Sequence, residues 1–119
     1  TGTITDLDVS MNITHTYSGD LDVRLYRNSP STAQFIIADE CSLNQNVNAT
    51  FSDEGTLTTC PLLSTPPNAY PLLNGWLLST FDGDDSADTW SLEVYDDAAG
   101  DSGNLNSWCL TLDYDPSAI

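Results

Sequence analysis

Carboxylates are the main chemical resource of this sequence, and they gather in turns. Asp82, Asp84, Asp85 and Asp88 share one glycine-bearing turn, and Asp96, Asp97 and Asp101 share another. Calcium takes about six to eight oxygen ligands, which clustered aspartates and loop carbonyls supply, so calcium is the expected cofactor. The first turn nearly follows the EF-hand loop from Asp82 to Glu93, but Ala87 stands where that loop needs glycine. Its last position also falls inside a strand pattern, so an EF-hand is set aside. The plainer reading of either turn is solvated surface.

Other chemistry finds little support. Nucleophilic catalysis needs an activated nucleophile beside a base. His15 is the sole histidine, and it lies on the inward face of a strand pattern next to Tyr17 and a turn. It is expected to be buried and bonded to that turn. No GxSxG elbow is present. Cys109 sits in a strand pattern with no second histidine to activate it. Eighteen acids make carboxylate pairs inevitable, so such pairs do not specify glycoside hydrolysis. One histidine and no CxxC leave no zinc site of ordinary spacing. The chain is expected not to be an enzyme by itself.

Charge limits the partners. Eighteen Asp and Glu face two arginines, Arg24 and Arg27, for a net charge of -16. Nucleic acid and anionic membranes are therefore poor partners. Such a surface suits high solubility, a saline setting or cation binding. No apolar run approaches the length of a membrane span. The chain opens mid-pattern at Thr1 with no initiator methionine, as an excised domain or mature fragment would. Trp90 and Trp108 fall on core faces, leaving Trp76, Tyr70 and Tyr95 as candidate sugar-stacking rings. Asn12 and Asn48 head glycosylation tripeptides, which arise often by chance.

The three cysteines are Cys41, Cys60 and Cys109. Cys41 and Cys60 flank a polar, turn-rich stretch, so they are expected to form a loop-closing disulfide with Cys109 free. Such a bridge implies export from the cell, a secreted or extracellular protein.

The elements that must position these groups are strands. Apolar or aromatic residues recur at Leu7, Val9, Met11, Ile13 and Tyr17, and again at Leu21, Val23 and Leu25. This period of two marks half-buried strands, and Ser18-Gly19-Asp20 between them suggests a hairpin. Short strands are expected at 35–38, 49–51, 76–81, 90–95 and 108–114. Residues 42–75 form a long loop with Pro66-Pro67 and Asn74-Gly75. No stretch carries a sustained helical period. Many short strands with frequent turns predict one domain over 1–119, an all-β, jelly-roll-like antiparallel β-sandwich with a tail from about 115.

Four segments, in order, carry a resemblance. Ile13-Thr14-His15-Thr16-Tyr17-Ser18-Gly19-Asp20-Leu21 resembles the opening hairpin of the P domain, also called the proprotein convertase or Homo B domain. Phe51-Ser52-Asp53-Glu54-Gly55 resembles its central acidic turn. Leu78 to Gly83, followed by Thr89-Trp90-Ser91-Leu92, resembles its loop-to-strand passage. Asp96 to Trp108 resembles its closing turn and final strand. The resemblance runs from about residue 5 to 114.

It implies a jelly-roll sandwich that follows the catalytic domain of secreted bacterial subtilisin/kexin-like proteases, and of some metalloproteases. It further implies a non-catalytic partner of that adjacent domain in the same polypeptide, supporting its folding and stability and its calcium and pH response. The parent would then be a serine endopeptidase. The acids at motif positions, Asp20, Asp53, Glu54, Asp96 and Asp101, are the candidate metal ligands. Their alternative role is to bond backbone amides in tight turns. The sequence departs from the pattern in the more acidic 82–88 turn, and at Cys109, where a small polar residue would be ordinary. An autonomous extracellular carbohydrate- or protein-binding module is the competing reading. An exposed aromatic strip would favour it.

Overall fold

The computed structural model describes residues 2–28, 31–72 and 76–116. These form seven strands: β1 (Gly2–His15), β2 (Leu21–Arg27), β3 (Thr32–Ala38), β4 (Val47–Phe51), β5 (Leu62–Leu63), β6 (Trp90–Asp96) and β7 (Gly103–Pro116). One sheet has the order β5-β4-β1-β7 and the other β3-β2-β6. All pairings are antiparallel except the two-residue β4–β5 contact. The sheets pack as a sandwich around Ile4, Leu7, Val9, Ile13, Val23, Leu25, Ile36, Phe51 and Phe81, all buried. The all-β sandwich is thus as the alternation predicts. Asn74-Gly75 and Ser117–Ile119 lie outside the described residues.

The predicted hairpin between β1 and β2 does not form. β1 pairs with β4 and β7, and β2 with β3 and β6. The 3-10 turn at Ser18–Asp20 carries the chain from one sheet to the other instead. Alternation says which face a side chain takes but not which strand lies beside it, and crossing buries both apolar rows against each other. The turn is held down by Ser18, whose N–H donates to the Asn44 carbonyl at 2.8 Å. Gly19 packs against Ser42 so closely that an added Cβ would sit 2.9 Å from its Cα.

Parity explains the irregularities. Ile4 and Leu7 both face the core, which a strict period of two forbids, and β1 bulges between Ile4 and Asp6. A second register shift falls between Asn12↔Ser107 and Ile13↔Leu105, where β7 meets the end of β1. In β3 the shift between Val23↔Ile37 and Arg24↔Phe35 lets Ile36 and Ile37 both be buried.

The strand expected at 76–81 is a further correction: Leu78–Phe81 is a 3-10 turn. Its first amides are captured by Asp53, whose carboxylate accepts the N–H of Leu78 at 2.7 Å and of Ser79 at 2.8 Å. β7 also runs on through Pro116, past the expected start of the tail. The Cys41–Cys60 disulfide is present with a sequence separation of 19, and Cys109 is free and exposed. Closing such a loop stabilises by roughly 3 kcal/mol in the chain-entropy model. Buried Tyr70 organises the same loop, its hydroxyl lying 2.7 Å from the Thr59 carbonyl and 2.9 Å from that of Pro61.

Candidate functional site

His15 is only 4% exposed, and both ring nitrogens are committed. Nδ1 accepts the Tyr17 N–H at 3.0 Å. The ring proton therefore sits on Nε2, which donates to Asp96 Oδ2 at 2.9 Å. With its lone pair bound to a backbone amide, the imidazole has nothing with which to deprotonate a nucleophile. The Asp96 carboxyl is held below its ordinary range, first by His15 and then by the Ala98 N–H.

The acidic turn at 82–88 proves to be the setting of a buried cation. Arg27 ends the inward row Leu21, Val23, Leu25 and is 2% exposed. Its Nη1 lies 3.2 Å from Asp88 Oδ2, its Nη2 donates to the Asp85 carbonyl at 2.8 Å, and Asp84 lies 4.0 Å from Nε. The turn also pairs with the start of β1: Ile4 N–H donates to the Asp84 carbonyl, and Gly83 N–H to that of Ile4, each at 2.9 Å. Gly83 meets this path with φ of +89°, which glycine adopts without strain. Buried charge is tolerable only when paired, so Arg27 accounts for Asp84 and Asp88, while the Asp85 carboxylate accepts the Ala87 N–H. Its place in the alternation was the signal for it.

The five carboxylates proposed as ligands fall at two ends of the molecule. Asp53 caps the 3-10 turn at Leu78, and Glu54 follows it. Asp20, Asp96 and Asp101 lie beside His15 and Thr16, with Asp101 Oδ1 accepting the Thr16 hydroxyl at 2.8 Å. Asp8 and His15 are seven residues apart on one strand, which separates the two groups by about 23 Å. Asp20 is pushed above the ordinary carboxylate range by desolvation and then by Asp101, with Asp96 and Asp97 adding to it.

Two three-carboxylate clusters are closer knit and could each hold a metal ion. Asp6, Asp8 and Glu54 form one, and Asp22, Asp39 and Asp97 the other. In each, one oxygen per residue lies within 4.8 Å of the others. Burial raises Asp8 most, partly offset by a bond from Ser52, and Asp6 and Asp113 raise it further. Glu54 is raised by desolvation and then by Asp6 and Asp8. Asp22 is raised by desolvation, then by Asp39 and Asp97, and Asp39 by desolvation and Asp97. In each cluster one oxygen, Asp8 Oδ1 or Asp22 Oδ1, is shielded from solvent without a hydrogen-bond partner among the described residues.

The clusters open onto different surroundings. Asp8 and Glu54 line a depression of about 350 Å³ with the hydroxyl residues Ser10, Thr50 and Ser52. Asp22 lines one of about 400 Å³ with Arg24, Phe35, Glu93 and Tyr95. Of the candidate rings, Tyr70 is buried, Trp76 stacks on Phe35, and Tyr95 is exposed. Sequence reasoning missed Asp6, Asp8, Asp22 and Asp39. The outward positions of Asp8 and Asp22 could be read from alternation, but their convergence with distant residues could not. It also missed Glu40, a nearly buried carboxyl beside the disulfide in a hollow lined by Phe51, Leu57 and Leu62. Desolvation raises it to about 7 against a weak bond from the Ala38 N–H.

Comparison with known proteins adds a family. The family described as "Proprotein convertase P-domain" matches residues 4–112. A "Transglutaminase-activating metalloprotease" of Streptomyces mobaraensis is 29% identical over 106 residues, which cover 89% of this chain and 10% of the relative. The chain thus spans about a tenth of that relative's length. No solved structure matches.

Proposed function

The chain belongs to the proprotein convertase P-domain family, and from that membership we propose that it is the non-catalytic accessory domain of an exported protease. The observation that carries this reading is the family match across nearly all of the chain. The committed ring of His15 supports it, as does the disulfide, which suits an oxidising compartment. The domain supports the folding and stability of a catalytic domain in the same polypeptide. The sequence resemblance favours a subtilisin-like serine endopeptidase as that neighbour, whereas the relative named above is a metalloprotease.

Deleting residues 4–112 from the parent protein tests the role. The yield of folded protease should fall, and the catalytic domain should melt at a lower temperature. Unchanged yield and melting would sink it. Inhibition by a serine-directed reagent, as against a zinc chelator, decides the catalytic type.

Calcium belongs to the same proposal, at Asp6, Asp8 and Glu54. The fit rests on the orphaned Asp8 Oδ1 and on an all-oxygen surround that suits a hard ion. Asp20, Asp53, Asp96 and Asp101 remain turn formers in this reading, given the amides, hydroxyl, imidazole and carboxyl groups they already engage. The ion would neutralise repulsion where β1 meets the Ser52–Gly55 turn.

A further inference from the structure

The outer face of the three-stranded sheet differs from the rest of the surface. Pairing sets its residues in rows, with Ala38, Asp22 and Tyr95 in one and Phe35, Arg24 and Glu93 in the next. Small Ala38 beside Asp22 leaves room. Tyr95, 58% exposed, rises on one side. Phe35 rises on the other, backed by Trp76 with ring centroids 5.2 Å apart. The hollow between them holds about 400 Å³. Asp22, which lines it, meets Asp39 and Asp97, and its Oδ1 is shielded from solvent without a hydrogen-bond partner among the described residues.

The chain has few cations with which to neutralise these three acids. It has no lysine and two arginines. Arg24 lines the same hollow as Asp22, but it is committed to Glu93, to which its Nε donates at 2.9 Å, and stacks over Tyr26 and Phe35. Arg27 is buried against Asp84, Asp85 and Asp88. A second copy of these residues would bring the same deficit, so the missing cation must come from outside them.

We propose that this hollow is a docking site for a lysine- or arginine-bearing segment of another protein. The alkyl stem of that residue lies along exposed Tyr95, and its cation reaches Asp22, Asp39 and Asp97. Each part of the site then has a role, since aromatic faces attract cations and carboxylates pair with them. A metal ion would satisfy the acids but not use the rings. A neutral saccharide would use the rings but leave the acids uncompensated. The inference goes beyond the accessory role and does not depend on it.

The test is a nuclear magnetic resonance titration of the chain with an acetylated, amidated Gly-Lys-Gly-Arg-Gly peptide. Parallel titrations use the same peptide with glutamine at both basic positions, a neutral oligosaccharide, and calcium chloride. The basic peptide should saturably shift the Asp22 and Tyr95 amides, and the glutamine peptide should not. Asp22→Asn and Tyr95→Ala should each weaken binding by about tenfold. Asp39→Asn is a second handle, because asparagine tolerates the positive φ of 50° found there. No saturable shift with the basic peptide would overturn the proposal. So would binding that ignores all three variants, which is general attraction to the acidic surface. Shifts at Tyr95 produced by the oligosaccharide or calcium but not by the peptide would overturn it as well.

Discussion

The turn at Asp84–Asp88 and the cluster of Asp22, Asp39 and Asp97 are both crowded with carboxylates, yet only one carries its own countercharge. The turn closes around the buried guanidinium of Arg27. The cluster has only Arg24 near it, which is engaged with Glu93, and Asp22 and Asp39 are pushed toward protonation by burial and then by neighbouring acids. Acid density alone therefore does not mark a binding site in a chain with a net charge of -16. The mark is whether the fold supplies the positive partner. The proposed sites lie where it does not, and there the surroundings choose the ligand.

The strongest way to break this contrast is to remove the internal cation. Arg27→Met should destabilise the domain by about 3–5 kcal/mol, because buried Asp88 loses its partner. Urea unfolding would measure this. Adding Asp88→Asn should recover part of the loss, and a double variant no better than the single would show that the pair is not what holds the turn.

Supplying an external cation should come next. Saturating calcium at Asp6, Asp8 and Glu54 should stabilise by about 2.7 kcal/mol at a hundredfold excess over its dissociation constant. Calorimetry at fixed ionic strength should show a higher melting temperature with calcium than with EGTA. Glu54→Gln should remove most of the increment and Asp22→Asn should not. An equal rise in matched NaCl would reduce the effect to screening.

Glu40 is the limiting case, a carboxyl in an apolar hollow whose described lining residues include no cation. Its folded value of about 7 lies above the ordinary 4.5. Its favourable term is therefore complete below pH 4.5 and is lost as pH rises through about 7. Glu40→Gln should then stabilise the domain on the order of 2 kcal/mol at pH 8 and leave it nearly unchanged at pH 4. Unfolding curves at the two pH values check this, and equal effects at both would refute the assignment.

The smallest expected effect sharpens the comparison best. Asp22→Asn removes one of three repelling charges, so it should leave the free domain slightly more stable, by up to about 0.5 kcal/mol. The same change should weaken docking of the basic peptide. Gain in one assay with loss in the other separates a binding residue from a structural one.

Much of the fold was legible because it rests on local rules. Alternation along Leu7 to Ile13 and Leu21 to Leu25 places the core faces, and the inward row of Trp108, Leu110 and Leu112 follows the same rule. Register shifts too are implied wherever inward residues such as Ile4 and Leu7 fall on opposite parities. Pairing was not legible, since the turn at Ser18-Gly19-Asp20 serves a hairpin or a crossing between sheets equally well. Nor was the 3-10 turn at Leu78, whose amides are held by Asp53 from 25 residues away. The clusters fail for the same reason. Asp22, Asp39 and Asp97 come from three elements, and only the strand order brings them together. Arg27 was within reach, because a charged residue in an apolar row must find buried partners, and the acidic turn was there to provide them.

The long β7 strand has a consequence for how copies of this chain behave in concentrated solution. It runs through 14 residues and, among the described residues, pairs only with β1. An open edge of that length is a template for another strand. What keeps copies apart is colloidal, the mutual repulsion of strongly negative particles with Asp113 and Asp115 at the edge itself. The guard is tied to pH, and it fades as carboxylates take up protons toward the isoelectric point near 4.1. Acidification would thus open the molecule to edge-to-edge gelation while its sheets were still intact.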